Sequence, residues 1–248
     1  MRIHLAETLK ESLENFAAVN AKNYLISYFY DKKHTLTEAT FEKVPDAKIL
    51  LDSGAFSAFN TKQELNFEDY MDFVTEHKDD YIGYFNMDVV YDGEKSKVNY
   101  DIMREKGFDP IPVFHYGSDF SYLEHYIKYS KYIALSGYAQ HTMQQRLMIN
   151  WTKKCLKMIP KDRDIHLLGV TSPIILFRFH NEITSVDSSS VERHRSYTGT
   201  ISYSGMNTGS KTIPTKLSMD QVNKIQQYSA SRIVNMEQEL NELEEQHG

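Results

Sequence analysis

One pattern recurs along most of the chain: a short apolar run that ends in a polar residue or glycine, followed by a longer amphipathic stretch. The runs have the length and the β-branched and aromatic content of strands, and the stretches between them carry apolar residues at helical spacing. Strands that alternate with helices indicate a parallel sheet, because parallel neighbours need a crossover connection. The strand-like runs are LISYFY, KILLDSG, YIGYFNMDVV, PIPVFHYG, YIALSG, IHLLGV and EITSVDSS.

The fold class follows from the number of these units and from where their polar residues lie. The runs are apolar throughout, which is typical of strands buried on both faces. A (β/α)8 barrel needs about 250 residues, and this chain has 248. Periodicity alone does not separate a barrel from a doubly wound sheet. Polar residues at the carboxyl ends of many different strands favour the barrel, so we predict a TIM-like barrel over residues 1–217.

The two ends of the chain depart from this repeat. Apolar residues from Leu5 to Ala17 recur at helical spacing, which predicts an opening helix. Near the other end, Ser218 and Gln221 form a capping-box pattern. It precedes an apolar stripe, so residues 218–248 are predicted to form a helix that packs on the barrel or dimerises. The stripe comprises Val222, Ile225, Ile233, Met236, Leu240 and Leu243.

Charge and cysteine content exclude several classes of protein. The net charge is −6, whereas nucleic-acid-binding domains are more often basic. Cys155 is the single cysteine, so neither an intrachain disulfide framework nor a cysteine-rich zinc site is expected, and a reducing compartment is indicated. No apolar stretch approaches the ~20 residues of a membrane span. We therefore predict a cytoplasmic protein.

Three carboxylates lie at the ends of apolar runs: Asp52 in LLDSGAF, Asp88 in FNMDVV and Asp187 in TSVDSSS. A carboxylate at the edge of a buried sheet is costly unless it is hydrogen-bonded or functional. Each one alone has a structural explanation, such as capping a helix or holding a turn. If the barrel is correct, all three converge at one end. Gly54 and Gly137 would allow a flat ligand to approach the backbone closely.

LDSGAF, FNMDVV, ALSGYA, HLLGVTSP and TSVDSSSVERH follow one another along the chain. In this order, the five segments resemble motifs of the tRNA-guanine transglycosylase superfamily over about residues 48–195. The sequences of the last two segments look closer to small phage-type relatives, which are linked to 7-deazaguanine modification of DNA, than to the tRNA enzymes. LDSGAF and FNMDVV resemble the two aspartate motifs of the superfamily, and ALSGYA resembles its glycine-rich loop. The two remaining segments are HLLGVTSP and TSVDSSSVERH, the second at the place of the nucleophile strand.

The resemblance implies a transferase that exchanges guanine for a 7-deazaguanine through a covalent aspartyl–sugar intermediate. Asp187 stands at the place of the nucleophile and Asp52 at the place of the aspartate that assists proton transfer. Asp88 matches the residue that recognises the base edge. Phe56 matches the aromatic side chain that stacks on the base. The remaining residues implied to bind the substrate are Ser53, Gly54, His115, Ser136 and Gly137.

The chain also departs from the superfamily. The structural zinc site of that superfamily uses several cysteines in a C-terminal extension, and with Cys155 alone no zinc and no other cofactor are predicted. Because the extension helps to hold tRNA, DNA is the predicted substrate, in a host cytoplasm if the gene is phage-encoded. Three alternatives stay open: a tRNA base exchanger without zinc, a non-catalytic binder of a deazaguanine base or nucleotide, and a nucleic-acid N-glycosidase.

A nucleic-acid substrate requires local neutralisation of phosphates. Arg193, Arg195 and Lys211 follow the predicted nucleophile and are candidates, although solvated surface charge explains each of them equally well. A target base in a duplex must be flipped out or already single-stranded. An acidic protein would bind such DNA weakly or together with a partner protein. SGMNTGSKT departs from the P-loop spacing, so ATP binding is not predicted.

Overall fold

A computed structural model describes residues 1–6, 9–138, 141, 144–170, 172–192, 199–204, 207–212 and 217–247. For residues 199–204, 207–212 and 247 the description covers the backbone alone. The described strands are β1 (Arg2–Ala6), β2 (Asn23–Ser27), β3 (Lys48–Asp52), β4 (Gly83–Tyr84), β5 (Val113–His115), β6 (Tyr132–Ser136), β7 (Asp164–Leu167), β8 (Ser185–Ser188), β9 (Gly199–Ser204) and β10 (Asn207–Thr212).

Helices connect the first eight strands. They are α1 (Leu13–Ala18), α2 (Thr35–Lys43), α3 (Ala55–Thr61), α4 (Phe67–His77), α5 (Gly93–Glu105), α6 (Phe120–Tyr129), α7 (Gln145–Met158) and α8 (Pro173–Phe179). The C-terminal helix is α9 (Met219–His247). Short 3-10 turns lie at Lys10–Ser12 and Lys78–Asp80.

The eight connected strands form one sheet in the order β4-β3-β2-β1-β8-β7-β6-β5. The pairs β1–β2, β1–β8, β3–β4, β5–β6 and β6–β7 are parallel. A parallel bridge also joins Phe85, after β4, to Ile111, before β5. Each strand therefore neighbours the strand before it and the strand after it in sequence, which is the strand order of a (β/α)8 fold. The predicted α/β, TIM-like fold class is confirmed.

The chain divides into two compact units that are both discontinuous in sequence. Unit one comprises Met1–Leu25, His34–Lys48 and Val170–Gly248, and unit two comprises Ile26–Lys33 and Ile49–Gly169. Unit one contains α9, and unit two contains β3 to β7.

In unit one, α9 packs through an apolar stripe and a set of polar contacts. Ile233, Met236 and Leu240 are buried. Asn15 of α1 donates a hydrogen bond from Nδ2 to Oε1 of Gln226 at 2.7 Å. At the start of the helix, the Ser218 N–H donates to Oε1 of Gln221 at 2.9 Å and the Gln221 N–H donates to Oγ of Ser218 at 3.3 Å. The predicted capping box is confirmed; dimerisation of this helix stays a prediction.

Unit two has a core of large side chains between strands and helices. Tyr70, Tyr100, Phe85 and Phe114 are fully buried. The Tyr70 hydroxyl donates to the carbonyl oxygen of Phe85 at 2.6 Å, so this aromatic side chain ties α4 to the end of β4. Among the helices in the described ranges, none combines the length and apolarity that crossing a bilayer requires.

Two segments differ from the sequence predictions. The sequence predicts a helix from about Leu5, but Leu5 belongs to β1 (Arg2–Ala6), which pairs with β2 and β8. Pairing on both sides outweighs a local helical spacing. The second segment is SGMNTGSKT, whose glycines predict a loop. Asn207–Thr212, within it, instead forms β10, which pairs antiparallel with β9.

Candidate functional site

In unit two, the polar residues predicted at strand ends do lie at the carboxyl ends of β3 to β6. Asp52 closes β3, His115 closes β5 and Ser136 closes β6. Asp88 follows the end of β4. The parallel register places His115 opposite Ser136. This is the edge at which (β/α)8 enzymes build their active sites.

Three side chains meet there and form what we call the Ser53–Asp88–His115 cluster. The Ser53 hydroxyl donates to Oδ1 of Asp88 at 3.2 Å. Nε2 of His115 lies 2.9 Å from the other carboxylate oxygen, at ion-pair distance but without the alignment of a hydrogen bond. The Asp88 and His115 side chains are each 11% exposed. A nearly buried carboxylate between a hydroxyl and an imidazole is expected to be held in one orientation.

The segment that carries Asp88 is fixed by two side-chain amides, of which Asn86 is buried, and neither was predicted from the sequence. Asn86 donates from Nδ2 to the Ser96 carbonyl oxygen at 3.0 Å and accepts from the Val113 N–H at 2.9 Å. Asn99 donates from Nδ2 to the Met87 carbonyl oxygen at 2.8 Å. The available signal was a polar Asn inside the apolar run YIGYFNMDVV. These bonds position the backbone on both sides of Met87, so Asp88 stands on a rigid support.

Asp52 is partly exposed and has its own local contact. Its Oδ2 accepts a hydrogen bond from the Gly54 N–H at 2.9 Å. Burial raises the pKa of Tyr70 well above its ordinary value, and the negative charges of Asp52 and Asp88 add to the effect. Both carboxylates therefore lie close enough to act on one buried phenol.

Gly54 and Gly137 are both in the left-handed region of backbone space, and protein atoms approach them closely. A Cβ on Gly54, with φ +81°, would lie 2.3 Å from Cβ of Phe29. A Cβ on Gly137, with φ +130°, would lie 2.5 Å from Cβ of Tyr116. Conformation and packing thus account for both glycines. The role in ligand approach stays a prediction.

Phe56 is on the first turn of α3, and its side chain is exposed. An exposed aromatic face two residues beyond Gly54 is available to stack on a flat ligand. Stacking on a base stays a prediction for this residue.

Asp187 belongs to unit one. It lies in β8, pairs in register with His4 of β1, and is almost fully buried. In the three residues that follow it, the hydroxyls of Ser188 and Ser190 are 2.6 Å apart. Of the residues predicted to bind phosphates, Arg193 and Arg195 lie outside the described residues, and Lys211 is described by its backbone alone, opposite Thr200.

The chemistry of the cluster in unit two suits the polar edge of a planar ligand. Asp88 can accept hydrogen bonds from adjacent N–H groups, His115 can donate or accept, and Ser53 can do both. No protein-family model matches the chain, and a search of the curated proteins found no match either. The function of the protein is therefore inferred from these contacts and from the chemistry that they allow.

Proposed function

We propose that the protein is a transglycosylase that exchanges guanine in DNA for a free 7-deazaguanine base, with no cofactor. The observation that carries this proposal is the Ser53–Asp88–His115 cluster at the strand ends, next to Asp52. The order of the five motifs that resemble the superfamily supports it. Function is argued from this site because a (β/α)8 fold by itself hosts many chemistries.

Recognition of guanine follows from the donors on its edge. Guanine carries an exocyclic amino group and an adjacent ring N–H, and a carboxylate fixed in one orientation accepts from both. Asp88 supplies that carboxylate, oriented by the Ser53 hydroxyl at 3.2 Å. A 7-deazaguanine presents the same edge, so one pocket can take the leaving base and the entering base in turn.

The proposed reaction has two displacements at C1′ of the sugar. A carboxylate oxygen of Asp187 attacks C1′, the C1′–N9 bond breaks, and its electron pair goes to guanine, which takes a proton from Asp52. The entering base then loses its N9 proton to Asp52 and attacks C1′. The C1′–O bond breaks and the Asp187 carboxylate is restored. Covalent catalysis by a carboxylate at an anomeric carbon proceeds through an oxocarbenium-like transition state.

This mechanism requires the Asp187 carboxylate to reach C1′ of a nucleotide whose base occupies the cluster. It also requires Asp52 to be protonated for part of the cycle. Burial and a neighbouring like charge both favour the protonated form of a carboxyl group. The requirement on Asp187 is the most direct one to test, since it demands a covalent bond.

The decisive experiment uses DNA and tRNA, each labelled in guanine, incubated with the protein and a series of 7-deazaguanine bases, followed by nucleoside analysis. We expect label to leave DNA only when a deazaguanine base is present. A protein–DNA adduct should form with wild-type protein and be absent with Asp187→Asn. Asp220→Asn, an exposed aspartate on α9, is the control and should behave as wild type.

The other outcomes point to the alternatives. Loss of label from tRNA alone would indicate a tRNA exchanger, and release of guanine without incorporation would indicate an N-glycosidase. Base binding that is unchanged in Asp187→Asn, with no adduct in wild type, would indicate a binder. If neither nucleic acid loses label with any base, the proposed enzyme activity is wrong.

A further inference from the structure

Exposed aromatic side chains are concentrated beside the candidate site. Six Phe and Tyr side chains of the described residues are at least 40% exposed, and two of them are Tyr129 on α6 and Tyr228 on α9. The other four lie on the segments that follow β2, β3 and β4, and we call them the aromatic rim: Tyr30, Phe56, Phe59 and Tyr91. Clustered exposed aromatics mark an interaction surface.

Contacts within unit two join these three segments. The rings of Phe59 and Tyr91 meet edge to face with centroids 5.6 Å apart. Between the same two segments, Ser53 donates to Asp88. On the other side, Phe29 packs against Gly54, and its ring lies edge-on to Tyr30 at 4.9 Å. These contacts thus connect the segments that carry the rim to the segments that carry Ser53 and Asp88.

Tyr91 combines an exposed side chain with an unfavourable backbone conformation. It is 73% exposed and has φ +62° in a turn closed by the Asp92 N–H and the Val89 carbonyl oxygen. This turn position favours glycine, because a side chain at positive φ is strained. Strained residues tend to persist where the side chain has a function.

Lysines accompany the rim without carboxylate partners. Lys32 and Lys33 follow Tyr30, and Lys62 follows Phe59 by one helical turn; all three are exposed. In the described part of the chain, none of the three lies within ion-pair distance of a carboxylate. Lys32 instead lies over the ring of Phe29, at 5.8 Å from its centroid. Three exposed positive side chains thus lie on the segments that carry the aromatic rim.

We propose that the aromatic rim binds single-stranded nucleic acid, stacking the nucleotides that flank the target base while the three lysines meet their phosphates. Aromatic faces interleaved with lysines are the usual construction of such surfaces. Tyr91 is three residues beyond Asp88, at most about 11 Å along the chain, which is a reach of one to three nucleotides. The inference rests on the proposed function only in naming the base at the cluster as the target.

The test measures binding of fluorescent dT12 and rU12 oligonucleotides by anisotropy, with no deazaguanine base present. We expect the Phe59→Ala, Tyr91→Ala double variant to lose about five- to 150-fold in affinity for each stacked base lost. Tyr91→Gly should weaken binding while its melting temperature stays equal to or above that of wild type. That pairing separates a role in binding from damage to the fold.

Charge and specificity are tested with two further variants. Replacing Lys32, Lys33 and Lys62 with Gln should reduce the slope of log affinity against log salt by about 2. Tyr129→Ala is the matched control, because Tyr129 is also exposed and also lies beside cations, with the Arg104 guanidinium 4.3 Å from its ring. It should bind both oligonucleotides as wild type does.

Unchanged affinity in the double variant, with or without a change in oligomeric state, would overturn the inference. Failure of the proposed function has a different signature: oligonucleotide binding that depends on Phe59 and Tyr91, with no base exchange in wild type. Exchange in wild type with full binding by the double variant would retain the enzyme and reject the rim.

Discussion

At the scale of single residues, the sequence reading identified Asp52, Asp88 and His115 because polar residues at the ends of apolar runs are visible in one dimension. Asn86 was missed, since its partners Ser96 and Val113 come from other elements. The glycines show that a motif can indicate a residue without indicating what packs against it. Gly54 was predicted from its motif to contact a ligand, but its close neighbour Phe29 lies on another segment and could not be predicted from the motif.

Gly54→Ala should destabilise the protein by about 2–4 kcal/mol, combining the left-handed backbone penalty with overpacking against Phe29. Gly107→Ala is the control. Its φ of +90° is as unfavourable, but nothing lies within 4 Å of the added Cβ, so a loss of about 1–2 kcal/mol is expected. Urea unfolding measures both. Equal losses in the two variants would show that the contact with Phe29 relaxes freely.

Asp88→Asn should lower the affinity for free guanine and 7-deazaguanine, because an amide presents a donor where the base needs an acceptor. A loss of about ten- to a hundredfold is expected for a charged hydrogen bond of about 1.5–3 kcal/mol. Isothermal titration measures the affinity, with Asp119→Asn, at the exposed N-cap of α6, as the control. If Asp88→Asn binds both bases normally, the cluster does not recognise the base.

At the scale of elements, the strands β3 to β8 could be predicted from apolar runs because each is buried and ends in a turn residue. β1 could not, because RIHLA is short and its leucine also fits a helical spacing. Its conformation depends on pairing with β8, nearly two hundred residues away. The antiparallel pair of β9 and β10 was missed for a different reason: its glycines and serines have low strand propensity.

Helix α9 offers a prediction on pH. Burial raises the pKa of Glu237, although hydrogen bonds from the Ile3 N–H and Asn23 oppose the shift. A raised pKa means that the folded state holds the proton more tightly than the unfolded state. The contribution to stability is therefore complete below about pH 4.5 and is lost as pH rises through the raised value.

Glu237→Gln removes this titration. Relative to wild type, we expect the variant to gain free energy of unfolding as pH increases from 4 to 7, measured by urea unfolding at each pH. Glu242→Gln, an exposed position on the same helix, is the control and should parallel wild type. A constant difference between wild type and Glu237→Gln across this range would show that Glu237 titrates alike in both states.

At the scale of the whole molecule, the structure adds detail to two global features of the sequence, the net charge and the single cysteine. The charge of −6 counted against nucleic acid, whereas Lys32, Lys33 and Lys62 are exposed on the segments that carry the aromatic rim. Cys155 indicated a reducing compartment. In the structure it is a fully buried thiol on α7, which makes it a reporter on opening of the fold.

Burial raises the pKa of Cys155 to about 12, so the thiolate that reacts with disulfide reagents is scarce in the native state. We expect 5,5′-dithiobis(2-nitrobenzoate) to label native Cys155 at least about a hundredfold more slowly than an exposed cysteine. The comparison is Ser121→Cys, at an exposed position on α6. The Cys155 rate should rise with urea in step with the loss of circular dichroism, because reaction then requires unfolding. Rapid labelling without urea would mean that α7 opens by itself, and the aromatic core around Trp151 would then be far less stable than its burial implies.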